Sequence, residues 1–147
     1  MKTVKQILEN KGAFIYTVTP NLTVYEAIRV MGEHNIGSVL VMQDEKLVGI
    51  LTERDYARKI VLKGKFSADT FVHEIMTPHP GLHTVTPESD IEDCMKIMSQ
   101  YTIRHLPVVD VDGNLQGIIS IGDVVSNYIN QQKEIIEDMT TYLYNQA

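Results

Sequence analysis

Two short segments carry the residues best suited to holding a small polar ligand: Gly49-Ile50-Leu51-Thr52-Glu53-Arg54-Asp55 and Gly117-Ile118-Ile119-Ser120-Ile121-Gly122-Asp123. In each, an apolar strand end runs into a hydroxyl residue, and an Asp follows three positions later on the first turn of a helix. Such a junction suits an anion, because the first amides of a helix lack partners within it and its dipole favours negative charge there. One carboxylate can accept both hydroxyls of a ribose, and Thr52 or Ser120 can donate to a phosphate or ribose oxygen. The same pattern is also a capping box, hydroxyl at the cap and acid on the first turn, which requires no ligand. Its repetition, each time directly after a strand, favours two related sites.

Other chemistry-bearing residues are weaker candidates. His73, His79 and His83 lie with Pro78 and Pro80 in a linker, at spacings that match no familiar metal site. His73-Glu74 lacks the second His of a zinc-protease helix, and no Ser/His/Asp or Cys/His set has the context of a nucleophilic centre. A non-enzymatic role is therefore expected. Arg58, Lys59, Lys63 and Lys65 form a short basic run that reads as a solvated helix face. Cys94 is the only cysteine, so the chain holds no internal disulfide; a reducing cytoplasm fits best.

The chain has 147 residues, 44% apolar and 22% charged, enough for one compact domain or two packed repeats. Its net charge of −6 argues against a sequence-independent grip on nucleic acid or an anionic membrane. No apolar run approaches the roughly 20 residues that cross a bilayer, and the residues after Met1 do not form an apolar signal core.

An internal duplication supplies the elements that must position the two segments. Thr17-Val18-Thr19-Pro20 returns unchanged as Thr84-Val85-Thr86-Pro87, and the same offset pairs Met31 with Met98, Ile36 with Ile103 and Val41 with Val108. After a one-residue insertion in a turn, Leu47 pairs with Leu115, Gly49 with Gly117 and Asp55 with Asp123. The lead-ins also match, Val4 and Ile7 against Val72 and Ile75. Within each repeat a helix starts at Thr23 or Asp90, with apolar positions Val24, Ala27, Ile28 and Met31, or Ile91, Cys94, Met95 and Met98. Cys94 thus falls on a buried stripe. Two strands follow, joined by Gln43-Asp44-Glu45-Lys46 in one half and around Asp112-Gly113 in the other. Pro107 should open its strand or face an edge, because it lacks a donor. The second helix carries Tyr56, Ala57, Ile60 and Val61, or Val124, Val125, Tyr128 and Ile129. The last helix runs on through Ile135, Met139 and Tyr142, an apolar face that reads as a packing surface for a partner chain more readily than for its own domain.

Each half is thus strand–helix–strand–strand–helix. This arrangement resembles the cystathionine-β-synthase-type (CBS) domain, present as a tandem pair over nearly the whole chain. The residues carrying the resemblance are the paired Thr-Val-Thr-Pro segments, Ile103-Arg104-His105-Leu106-Pro107-Val108-Val109-Asp110, and the two Gly-x-x-Thr/Ser-x-x-Asp segments. The resemblance implies an α+β fold of two pseudo-symmetric βαββα repeats packed sheet to sheet into one module, dimerised into a disc. The division expected is 1–66 for the first repeat with its lead-in, 67–83 for the linker, and 84–147 for the second repeat with its extended helix. It also implies adenosine-binding clefts between the repeats, taking AMP, ADP, ATP, NAD(H) or S-adenosylmethionine. The site residues carried over are Thr17, Ile36, Gly37, Ser38, Val39, Thr52, Arg54 and Asp55 in the first repeat. In the second they are Thr84, Ile103, Arg104, His105, Leu106, Pro107, Ser120 and Asp123. Asp55 and Asp123 take the ribose. Arg54 and Arg104 suit phosphate, although surface ion pairing would explain them equally well. The second site has Arg104-His105 where the first has Gly37-Ser38, so the two are expected to differ in ligand. The reading is a non-catalytic sensor of adenine nucleotides, a homodimer that signals to an unidentified protein through a shift in conformation. The alternative is a structural interaction module with no nucleotide; an S-adenosylmethionine sensor is a further variant.

Overall fold

The computed structural model describes residues 2–12, 15–79 and 81–146. In chain order its elements are α1 (Val4–Lys11), β1 (Thr17–Val18), α2 (Val24–His34), β2 (Ser38–Gln43), β3 (Lys46–Thr52) and α3 (Glu53–Tyr56), which continues as a π-helical turn over Ala57–Val61. A 3₁₀ turn (Ser67–Asp69) leads to α4 (Val72–Ile75) and β4 (Thr77–Pro78). Then come α5 (Ile91–Tyr101), β5 (His105–Val109), β6 (Leu115–Ser120) and α6 (Ile121–Asn145). Pro80 of the expected linker lies outside the described residues.

The chain forms two compact units whose limits differ from the repeat boundaries. One contains Phe14–His83 with Asp112–Leu115, and the other Met1–Ala13, Thr84–Val111 and Gln116–Ala147. Each lead-in therefore joins the core of the repeat on the far side of it in sequence. Val72 and Ile75 of α4 are buried with Val24, Ala27, Met31, Val39, Val41 and Leu51. Val4 and Ile7 of α1 are buried with Ile91, Cys94, Met98, Leu106, Val108, Ile119 and Val124.

In the Phe14–His83 unit the sheet runs β1-β2-β3-β4, with β1 parallel to β2 and the other pairs antiparallel. The β2–β3 turn is Asp44-Glu45, tighter than the four residues expected, and both residues have positive φ (52° and 64°). That conformation matches the twist of the strands it joins, at some cost for a non-glycine residue. Thr23 caps α2 by accepting from the Glu26 amide (3.2 Å). Beyond α3 the expected apolar face fails. Ile60 is buried, but Ala57 and Val61 are exposed. The cause is the π turn, in which the Leu62 amide donates to Ala57 O and the wider spacing carries side chains off a 3.6-residue stripe.

In the other unit Asp90 caps α5, accepting from the Asp93 amide (2.8 Å). The first strand expected there is reduced to a single parallel bridge, Val85 to Val108. Pro107 lies in the middle of β5 and not at its start. Its carbonyl accepts from the Val85 amide, so its absent N–H falls on the side bridged at one residue alone, where little pairing is lost. Cys94 is fully buried, and burial, followed by the nearby Asp93 and Asp90 carboxylates, pushes its thiol up to about 11. It is a small core residue, as its place on the apolar stripe required.

Candidate functional site

In both units the strand-to-helix junction is held by its own residues. Asp55 Oδ2 accepts from the Thr52 amide (3.0 Å) and hydroxyl (3.1 Å), while the Asp55 amide donates back to Thr52 Oγ1 (3.2 Å). Asp123 Oδ2 accepts from the Ser120 amide (2.9 Å), and the Asp123 amide donates to Ser120 Oγ (3.2 Å). The helix's first residue is tied as well: the Glu53 amide donates to Gly37 O (3.1 Å) and the Ile121 amide to Arg104 O (2.8 Å). This corrects the expectation of unpartnered amides at the helix ends. Three of them in each unit already serve the junction, and the capping box is real. Among the described residues no buried side-chain nitrogen or oxygen lacks a partner.

These bonds also assemble the wall of each site. In the first unit Ser38 and Thr52 are register partners across β2 and β3, and Gly37 lies against the start of α3. Ser38 and Val39 are buried and Ile36 is half-buried. Thr17 pairs with Leu40, placing it beside β2 two residues beyond Ser38. Arg54 is half-buried next to Asp55. In the second unit Arg104 directly precedes β5 and accepts from the Ile121 amide at its carbonyl, and His105 opens the strand; Leu106 and Pro107 are buried, and Ile103 and Thr84 half-buried. Arg104 is exposed. Main-chain pairing thus brings Gly37 and Ser38 to one junction and Arg104 to the other.

Sequence reasoning missed two lysines. Lys11, the last residue of α1, donates to Asp123 Oδ2 (2.8 Å) and to Ile118 O (2.9 Å). Lys59 lies 3.0 Å from Asp55 Oδ1 and donates to Ile75 O (2.8 Å). Lys59 is thus only partly on the solvated face expected for it, since its ammonium turns to the junction. The i,i+4 spacing from Asp55 on a helix was the legible signal. Lys11 gave none, since 112 positions separate it from its partner. Burial would raise Asp123, but the Lys11 ammonium and the Ser120 donors outweigh it and hold the carboxyl below its ordinary value.

Among the described residues no group of His, Cys, Asp or Glu could hold a metal, and no helix is long and apolar enough to cross a membrane. The CBS-domain family model matches residues 5–62 and again 72–130. The CBS domain-containing protein CBSX3, mitochondrial, of Arabidopsis thaliana is 36% identical over 96% of this chain and 71% of its own length. An inosine-5′-monophosphate dehydrogenase of Thermoplasma acidophilum is 34% identical, but the match covers only 21% of that enzyme. Among solved structures, a protein with CBS domains from Burkholderia ambifaria MC40-6 superposes with a TM-score of 0.83 at 47% identity, covering 89% of this chain and 96% of that one. The CBS domain pair of protein MJ0100, in complex with 5′-methylthioadenosine and S-adenosyl-L-methionine, superposes with a TM-score of 0.75 at 28% identity, covering 86% of this chain and 99% of that one.

Proposed function

Because this chain belongs to the CBS-domain family, carrying two copies of the domain, we propose that it is a regulatory module binding an adenosine-containing ligand at the signature of each repeat. The carrying observation is that Asp55 and Asp123 stand at equivalent strand ends, each beside a hydroxyl residue and the opening of the neighbouring strand. A vicinal diol is the ligand group one carboxylate holds best at such a place. The MJ0100 domain pair, whose structure contains two adenosine derivatives, supports the ligand class. AMP, ADP and ATP come first on our reading, with NAD(H) and S-adenosylmethionine after them, bound in a cytoplasmic homodimer without catalysis. The ligand acts by its differential affinity for two conformations and thereby reports to a protein partner.

The interaction-module reading has an observation of its own. Ile136, Met139, Tyr142 and Leu143 on α6 are 60–65% exposed, an unusual concentration of apolar surface. Thermal unfolding with each of the five ligand types separates the two. A ligand at a hundred times its dissociation constant adds about 2.7 kcal/mol, which raises the melting temperature of a chain this size by roughly 5–11 °C. We expect at least one such shift, lost in Asp123→Ala or Asp55→Ala. No shift with any ligand would leave the interaction module as the function.

A further inference from the structure

The two lysines reach their carboxylates from positions that the duplication does not relate. The repeat offset carries Lys59 onto Asn127 and Lys11 onto His79, so neither lysine has a lysine counterpart. Lys59 comes from the π turn after Asp55, whereas Lys11 comes from the end of α1. Yet each ends within 3.0 Å of the signature carboxylate, and each gives a second hydrogen bond to a main-chain carbonyl, Ile75 O or Ile118 O. Two separate origins for one arrangement indicate that the site uses an ammonium there.

The bonding around each junction indicates what for. Three of the amides that would ordinarily receive an anion at each junction are already engaged: Thr52, Glu53 and Asp55 in one repeat, Ser120, Ile121 and Asp123 in the other. With most of those donors committed, a phosphate arriving here needs side-chain cations as well. A ribose diol that takes both oxygens of a carboxylate competes for the one the lysine now uses, Oδ2 of Asp123 or Oδ1 of Asp55. A lysine ammonium is a compact charge on a four-carbon stem with three rotatable donors, so it can turn from the carboxylate to a new anion without moving the backbone. Both lysines are partly exposed, with side-chain accessibilities of 33% and 44%, which leaves room for that rotation.

Resting on the adenosine-binding reading, we propose that Lys11 and Lys59 are specificity residues that pass from Asp123 and Asp55 to the ligand's phosphate. They thereby select phosphorylated adenosine ligands over neutral ones. The diol is the key that frees the ammonium, and the phosphate is what the freed ammonium binds.

The test is calorimetric titration of the full chain with adenosine and with AMP, in wild type, Lys11→Gln, Lys59→Gln, and Lys11→Arg and Lys59→Arg. Glutamine keeps a donor for the carboxylate and the main-chain carbonyl, which guards the fold; melting temperature and circular dichroism check it. Loss of a charged hydrogen bond to phosphate predicts an AMP affinity lower by roughly tenfold or more in at least one Gln variant. Adenosine affinity should be undiminished, and the Arg variants should keep the AMP preference. The proposal is overturned if the Gln variants leave the ratio of the two affinities unchanged, or tighten both ligands together as removal of a mere competitor would. Equal binding of adenosine and AMP by wild type also overturns it, while leaving adenosine binding intact. Binding of none of the five ligand types removes both readings.

Discussion

Asp123 concentrates opposing forces in one carboxyl. Burial favours its neutral form, yet the Lys11 ammonium and the Ser120 backbone and hydroxyl donors leave its pKa depressed. A depressed folded-state pKa means the unfolded chain binds the proton more tightly. The stabilisation is therefore complete above the unfolded value, near 4, and fades as pH falls toward the folded value. In ligand-free protein we expect urea stability to decline as pH falls below about 5, and Asp123→Asn to be less stable at pH 7 with a shallower acid decline. Parallel acid limbs in wild type and variant would show that Asp123 does not contribute. The residue was legible as a site candidate because two equivalent seven-residue segments frame Asp55 and Asp123. Its cation was not, because a side-chain contact spanning 112 positions leaves no local pattern.

Among the glycines, the tightest surroundings are at the two that open the signature segments, where a lead-in crosses each. A methyl on Gly49 would lie 2.7 Å from Met76 Sδ and 2.8 Å from the Thr77 carbonyl oxygen. On Gly117 it would meet only the Leu8 side chain, 2.7 Å from Cδ2 and 3.3 Å from Cδ1. Leu8 and Met76 are counterparts in the duplication, so both glycines answer the same close approach. The neighbours differ in how far they can yield: a leucine methyl turns aside, and a strand carbonyl does not. Gly49→Ala should therefore cost about 1–3 kcal/mol and Gly117→Ala clearly less, by chemical denaturation of the two variants. The lead-ins show where sequence reading stops. Val4/Ile7 and Val72/Ile75 matched as a repeated pattern, but periodicity states that a face is buried, never against which neighbour. The π turn after Asp55 escaped for a similar reason, since Ala57, Ile60 and Val61 fit ordinary helical spacing and only hydrogen bonding reveals the wider turn.

For the molecule as a whole, the sharpest expectation concerns α6. Val125, Ile129, Gln132, Ile136, Met139 and Leu143 follow one another at alternating steps of four and three along its 25 residues, the spacing of a helix that pairs with another helix. We expect the chain to sediment as a dimer, and Ile136→Asp with Leu143→Asp to sediment as a monomer with unchanged helical content. A monomeric wild type would refute this. The duplication, both caps and most of the core were readable because each leaves a repeating local trace. Which segment completes which core was not. That arrangement has a consequence for how the chain is made. Val4 and Ile7 of α1 are synthesised before every one of their burial partners outside that helix, which run from Val85 to Val124. That helix must stay unburied until the later repeat has been synthesised, whereas the Phe14–His83 unit holds most of its own partners within one continuous stretch and can close first.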